Sequence, residues 1–116
     1  MNTRDAKSLL VALSITMLAP LSVVASEAME KMQLADRLMQ HGYTRKALDF
    51  YDLSIRANEH FWPAYLKRGD CLRKLGQGEL ARDDYKKVLQ LDPGNAQAAS
   101  RLHGRKRSSS KKKKHS

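Results

Sequence analysis

Laid over itself with an offset of 34 residues, the chain repeats without a gap. Leu38 falls on Leu72, Gly42 on Gly76, Ala47 on Ala81, Asp49 on Asp83 and Tyr51 on Tyr85; Met32 meets Leu66, Ala35 meets Gly69 and Ile55 meets Leu89. A fixed period of this length specifies an all-α solenoid of helix-turn-helix units, each burying its apolar face against the next. Such a stack works through the surface it exposes along its length. The period therefore favours a binding scaffold over an enzyme.

Punctuation places the helices. The first is expected from Glu27 to His41, with Ser26 as N-cap, Glu27 and Glu30 near the positive end of the dipole, and Gly42 as the stop. Thr44 is expected to cap a second helix running to Ala57. Trp62-Pro63 opens the third, because proline is tolerated in a first turn, and Gly76-Gln77-Gly78 forms the following turn. The fourth is expected from Glu79 to Leu91, closed by Asp92-Pro93-Gly94. Asn95 caps a short fifth helix over residues 96–103, which covers the apolar end of the stack; a second copy of the chain, in a homo-oligomer, is the alternative cover.

The second copy resembles a tetratricopeptide repeat. With Trp62 as position 1, Tyr65 falls at 4, Gly69 at 8, Leu72 at 11, Ala81 at 20, Tyr85 at 24 and Pro93 at 32, the family's large, small and helix-stopping positions. It departs at Arg68, where the family usually has Leu, and at Gly78. The first copy, residues 28–61, keeps Leu34, Ala35, Leu38, Gly42, Ala47 and Tyr51 but has Lys31 and Glu59 where an aromatic and a proline would stand. The resulting division is a leader over 1–25, a repeat domain over 26–103 (repeats 28–61 and 62–95, cap helix 96–103), and a tail over 104–116.

The net charge of +10 is local. Residues 26–100 carry 12 basic and 11 acidic side chains, whereas residues 101–116 carry 8 basic side chains and no acid. Binding to a polyanion or an anionic lipid surface would thus belong to the tail: Arg105, Lys106, Arg107 and Lys111, Lys112, Lys113, Lys114. A stretch of that composition is expected to be disordered, and its bland alternative is a solubilising tail. The leader reads as an export signal: Arg4 and Lys7, an apolar run from Leu9 to Leu18, Pro20, then small residues before a cleavage point at Ser26. The expected destination is periplasmic or secreted. An uncleaved membrane anchor is the alternative, since Ser8 to Ala25 is 18 residues, near the lower limit for spanning a bilayer. The lone Cys71 excludes an internal disulfide and is expected to be a small buried side chain, with an intermolecular disulfide in an oxidising compartment as the alternative.

Nothing in the sequence assembles a catalytic, cofactor or metal site. His41, His60, His103 and His115 share no ligand spacing with each other or with Cys71. Asp83 and Asp84 point in different directions on a helix and are expected on a solvated face. The family resemblance implies a protein or peptide ligand in a concave groove lined by the first helix of each repeat. Carried onto this chain, the lining residues are Met29, Met32, Gln33, Asp36, Met39 and Gln40, then Leu66, Lys67, Asp70, Arg73 and Lys74, with Pro63 beside them. Met29, Met32 and Met39 form a stripe that suits varied apolar partners or else packs the core, and Lys67, Arg73 and Lys74 suit an acidic or C-terminal peptide. The carboxylate-clamp pattern of chaperone-binding family members is not matched, because Met32 and Asp36 stand at two of its positions. Phe61 and Trp62 are expected to pack the seam between repeats, and Ala81 to sit at a close helix approach.

Overall fold

The computed structural model of the chain describes residues 26–104. The leader, its cleavage point and the basic tail from Arg105 onward lie outside the described residues. Five helices follow one another: α1 (26–40), α2 (Thr44–Ala57), α3 (Trp62–Lys74), α4 (Gly78–Leu91) and α5 (96–104). No strand occurs among the described residues, and the fold is an all-α stack of helical hairpins.

The two intra-repeat turns are copies. Gly42 and Gly76 adopt φ of 81° and 80°, a left-handed conformation that only glycine takes without strain. In each, the amide after the glycine reaches back to the helix it closes: Tyr43 N–H donates to the Leu38 carbonyl at 2.8 Å, and Gln77 N–H to the Leu72 carbonyl at 2.9 Å. This closure satisfies the last carbonyls and turns the chain within two residues. It also corrects the expected start of α2. Tyr43, immediately after the glycine, becomes the N-cap, Thr44 is already helical, and no side chain caps the helix. Ser26 is likewise inside α1 rather than before it, and Gly78 is the first residue of α4 rather than part of the turn. Asn95 does cap α5: its Oδ1 accepts from the Ala98 amide at 2.9 Å while its Nδ2 donates to Asp92 at 3.0 Å.

The core divides into two clusters, one per seam. Met32, Ala35, Ala47, Tyr51 and Cys71 fill the space between the first hairpin and α3. Ile55, Ala64, Tyr65, Leu66, Leu72, Ala81, Tyr85, Val88 and Ala98 fill that between the hairpins and α5. Phe61 packs on both clusters and Trp62 on the second, so these aromatics bridge the repeats. Alanines recur on the packed faces: Ala28, Ala35, Ala47, Ala64 and Ala98 are fully buried and Ala81 is 1% exposed. Ser54 donates to the Ala28 carbonyl at 2.6 Å, tying the end of α2 to the start of α1. Cys71 is buried and donates to the Thr44 carbonyl at 3.2 Å, and burial pushes its thiol pKa up.

α5 continues the period. Ala98 lies 34 residues after Ala64 and is buried as completely, so α5 occupies the register of a third repeat's first helix.

Candidate functional site

The first helices α1, α3 and α5 are joined by one polar device used twice. Asp36 on α1 accepts from the Tyr51 hydroxyl at 2.7 Å and from Lys67 Nζ on α3 at 2.7 Å. Thirty-four residues on, Asp70 on α3 accepts from the Tyr85 hydroxyl at 2.7 Å and from Arg101 on α5, Nη2 to Oδ2 at 2.7 Å with Nε on the other oxygen. Each carboxylate thus receives a tyrosine from its own repeat and a cation from the next. Burial first, and then the hydrogen bond to the aspartate, raises the pKa of both Tyr51 and Tyr85 above the ordinary phenol value. The same bond to Asp70 raises that of Arg101.

This device divides the expected groove residues into two kinds. Asp36, Lys67 and Asp70 are spent holding one first helix to the next. Gln33, Gln40, Arg73 and Lys74 are exposed, Arg73 standing 3.9 Å from Asp70 and Lys74 in no ion pair among the described residues. The methionine stripe splits the same way. Met29 is 42% exposed, Met39 is half-buried against the first cluster, and Met32 is a core residue at 7%. Leu66 is core too, at 5%, and Pro63 is half-buried.

A second network was not anticipated. Arg68, the departure from the family pattern, forks onto Asp84 of α4, Nε to Oδ2 at 2.8 Å and Nη2 to Oδ1 at 2.7 Å, and reaches Asp52 of α2 with Nη1 at 2.7 Å. Its guanidinium also lies 5.6 Å from the centroid of the Tyr65 ring. The two carboxylates hold its pKa above the usual arginine range, with the bond to Asp84 the larger cause. Asp83 is exposed as expected, but Asp84 is not on a solvated face; it is 5% exposed and needs its partner. Leu34 and Leu102 stand at the places that match Arg68 in the flanking repeats, so the middle of the stack carries a charge where its neighbours carry an apolar side chain.

Among the described residues no group of three or more His, Cys, Asp or Glu side chains converges on a metal-sized site, and no helix is long and apolar enough to cross a membrane. The polar clusters pair carboxylates with cations already at hydrogen-bond distance, an arrangement that fixes helices rather than one that moves protons.

The family comparison falls on one hairpin of this stack. Residues 62–95, which are α3 and α4 with their closing turn, match the family model described as tetratricopeptide repeat. A 54-residue stretch is 39% identical to a UDP-N-acetylglucosamine–peptide N-acetylglucosaminyltransferase of Giardia intestinalis, over 47% of this chain. The chain spans only 4% of that relative's length. A solved structure titled as the first TPR of Spaghetti (RPAP3) bound to the HSP90 peptide SRMEEVD aligns over 74% of this chain and 95% of its own, at 19% identity and a TM-score of 0.46.

Proposed function

We propose that this chain, with a tetratricopeptide repeat at residues 62–95 and a like hairpin before it, is a non-catalytic adaptor. Its ligand is a protein or peptide laid along the row of first helices α1, α3 and α5. The observation that carries this reading is the division of labour along that row. One set of side chains pins the helices together, and a second set, Gln33, Gln40, Arg73 and Lys74, stands exposed beside it with no side-chain hydrogen bond among the described residues, Arg73 lying 3.9 Å from Asp70. Amides and cations held on rigid helices can read a peptide backbone and its carboxylates at little ordering cost. Met29 offers an apolar contact at the α1 end.

The test is capture of partners from the native extract by the full chain and by a variant carrying Gln40→Ala and Lys74→Glu, both washed at high salt. A protein held by the first and lost by the second marks the helix row as the ligand surface. Equal retention by both would remove it. Binding that survives these changes but vanishes with salt would instead assign the contact to the basic side chains of the tail.

We extend the reading to an exported protein. Support comes from the basic head, apolar run, proline and small residues of positions 1–25. A mature amino terminus at Ser26, read by intact-mass measurement, is the expected result; an unprocessed chain in the membrane fraction would favour an anchor.

A further inference from the structure

Among the described residues nothing covers the end of the stack beyond α4 and α5, and its lining differs in kind from the seam it continues. A groove of about 620 Å³ lies there, bordered by Arg73, Gly76, Arg82, Ser100, Arg101 and Leu102. Thirty-four residues earlier the same places are Met39, Gly42, Leu48, Leu66, Lys67 and Arg68. In that earlier seam Cys71 of α3 and Leu75, its C-cap, share one apolar cluster with Met39 and Leu48. In the sequence, the residues 34 on from Cys71, Leu72 and Leu75 are Arg105, Lys106 and Ser109, which lie outside the described residues. They have neither the apolar surface to fill the groove nor a charge that suits it.

The charge of the groove is the deciding feature. Of its three guanidinium groups, Arg101 is satisfied by Asp70, and Arg73 stands 3.9 Å from that same carboxylate. Arg82 takes part in no ion pair among the described residues, and its neighbours Glu79 and Asp83 are exposed, Asp83 lying 4.0 Å from Lys86. One carboxylate therefore serves two of the three cations, and the third, Arg82, has no ion-pair partner among the described residues. Where the internal seam puts Met39 and Leu48 to receive a helix, the terminal face presents two arginines around a half-buried leucine.

We infer that this terminal groove is a docking site for an acidic peptide segment of a partner protein, with carboxylates set against Arg73 and Arg82 and an apolar side chain against Leu102. Guanidinium forks match carboxylates in a bidentate way, and a volume of about 620 Å³ leaves room for side chains. A further apolar repeat or a second copy docked by its own seam would bury Arg82 without a partner, at a desolvation cost that nothing offsets. The groove shares Arg73 with the row of exposed residues on the first helices, but Arg82 on α4 and Leu102 belong to it alone, whereas Gln33, Gln40 and Lys74 belong only to the row, so either reading can fail alone.

The experiment uses the full chain and fluorescence anisotropy with a fluorescein-labelled peptide of alternating Glu and Leu; the same peptide with Gln for Glu is the control. Two variants separate the groove from the tail: Arg73→Gln with Arg82→Gln, and Lys111, Lys112, Lys113 and Lys114 all changed to Ser. Both arginines are exposed, and circular dichroism of each variant guards against unfolding. The expected result is binding of the Glu peptide but not the Gln peptide, weakened at least about tenfold by the arginine changes and much less by the lysine changes, at moderate salt. Affinity unchanged by the arginine pair but lost with the lysines would overturn the inference. So would a concentration-dependent dimer, seen by sedimentation, that the arginine changes dissolve. Anionic vesicles that compete the peptide away only when the tail lysines are present would leave the groove as a peptide site; competition independent of the lysines would assign it to lipid instead.

Discussion

The contact of α1 with α3 and the contact of α3 with α5 follow one plan and are finished differently. Both hang on an aspartate that takes a tyrosine from its own repeat and a cation from the next. In the first, the cation is a lysine with 41% of its side chain exposed and a single bond; in the second, it is an arginine at 26% gripping both carboxylate oxygens. The apolar filling also diverges. Ala35 sits where the second repeat has Gly69, and a Cβ at Gly69 would fall 2.6 Å from Cε1 of Tyr85. Polar anchors at a fixed interval set how each first helix lies on the last, while the packing between them is free to drift. Between the two contacts lies the Arg68 network, which neither flanking repeat can copy because both carry leucine there.

That asymmetry can be broken most forcefully at Arg68. Arg68→Leu restores the flanking residue but strands Asp84, and urea unfolding should show a loss of about 3 kcal/mol. Adding Asp84→Phe, the residue that Phe50 supplies one repeat earlier, should recover most of it. No recovery would mean that the network holds α2, α3 and α4 in a geometry leucine cannot support. Next is Gly69→Ala, where the Tyr85 ring must move: a cost of about 1–3 kcal/mol, read as a lower melting temperature. The converse, Ala35→Gly in α1, should cost only about 0.5–1 kcal/mol through backbone freedom.

The two anchors can then be weighed against each other. Asp70→Ala leaves the Tyr85 hydroxyl and the Arg101 fork without their acceptor and should cost about 2 kcal/mol; Asp36→Ala, whose lysine can turn to water, should cost about 1 kcal/mol. Equal losses would mean that the tyrosine, common to both, carries the anchor. The smallest effect is alkaline. Tyr51 and Tyr85 hold their protons more tightly folded than unfolded, so their contribution is complete below the unfolded value of 10.0 and falls away as pH rises above it. Melting temperature should decline above pH 10 more steeply in the unaltered chain than in Tyr85→Phe.

Much of this architecture is legible from one line of text. The 34-residue register, the two left-handed glycines and the seam role of Phe61 and Trp62 need only periodicity and local chemistry. The anchors were legible too, for Asp36 and Asp70, Tyr51 and Tyr85, Lys67 and Arg101 all keep the same interval. They are found only if the register is carried past residue 95, whereas a short helix after a proline invites the simpler reading of a cap. Arg68 with Asp84 and Asp52 is different. It joins three helices across intervals of 16 residues that belong to no period, and a buried carboxylate cannot be told from a solvated one by spacing alone. The lining of the helix row was blurred for a related reason: Met32 and Leu66 sit at the border between its exposed and packed sides, and a few degrees of helix rotation decides which.

The interval of the anchors also governs how the chain comes together in time. Among the described residues no side-chain hydrogen bond joins positions more than 31 apart, and the seam bonds recur at 15 and 31. Every closure is therefore a short loop, cheap in entropy and of low contact order, the regime in which helical chains fold in microseconds to milliseconds. Each anchor needs only neighbouring helices in place: Lys67 can reach Asp36 without α5, and Arg101 can reach Asp70 without α1, so the stack can grow one hairpin at a time.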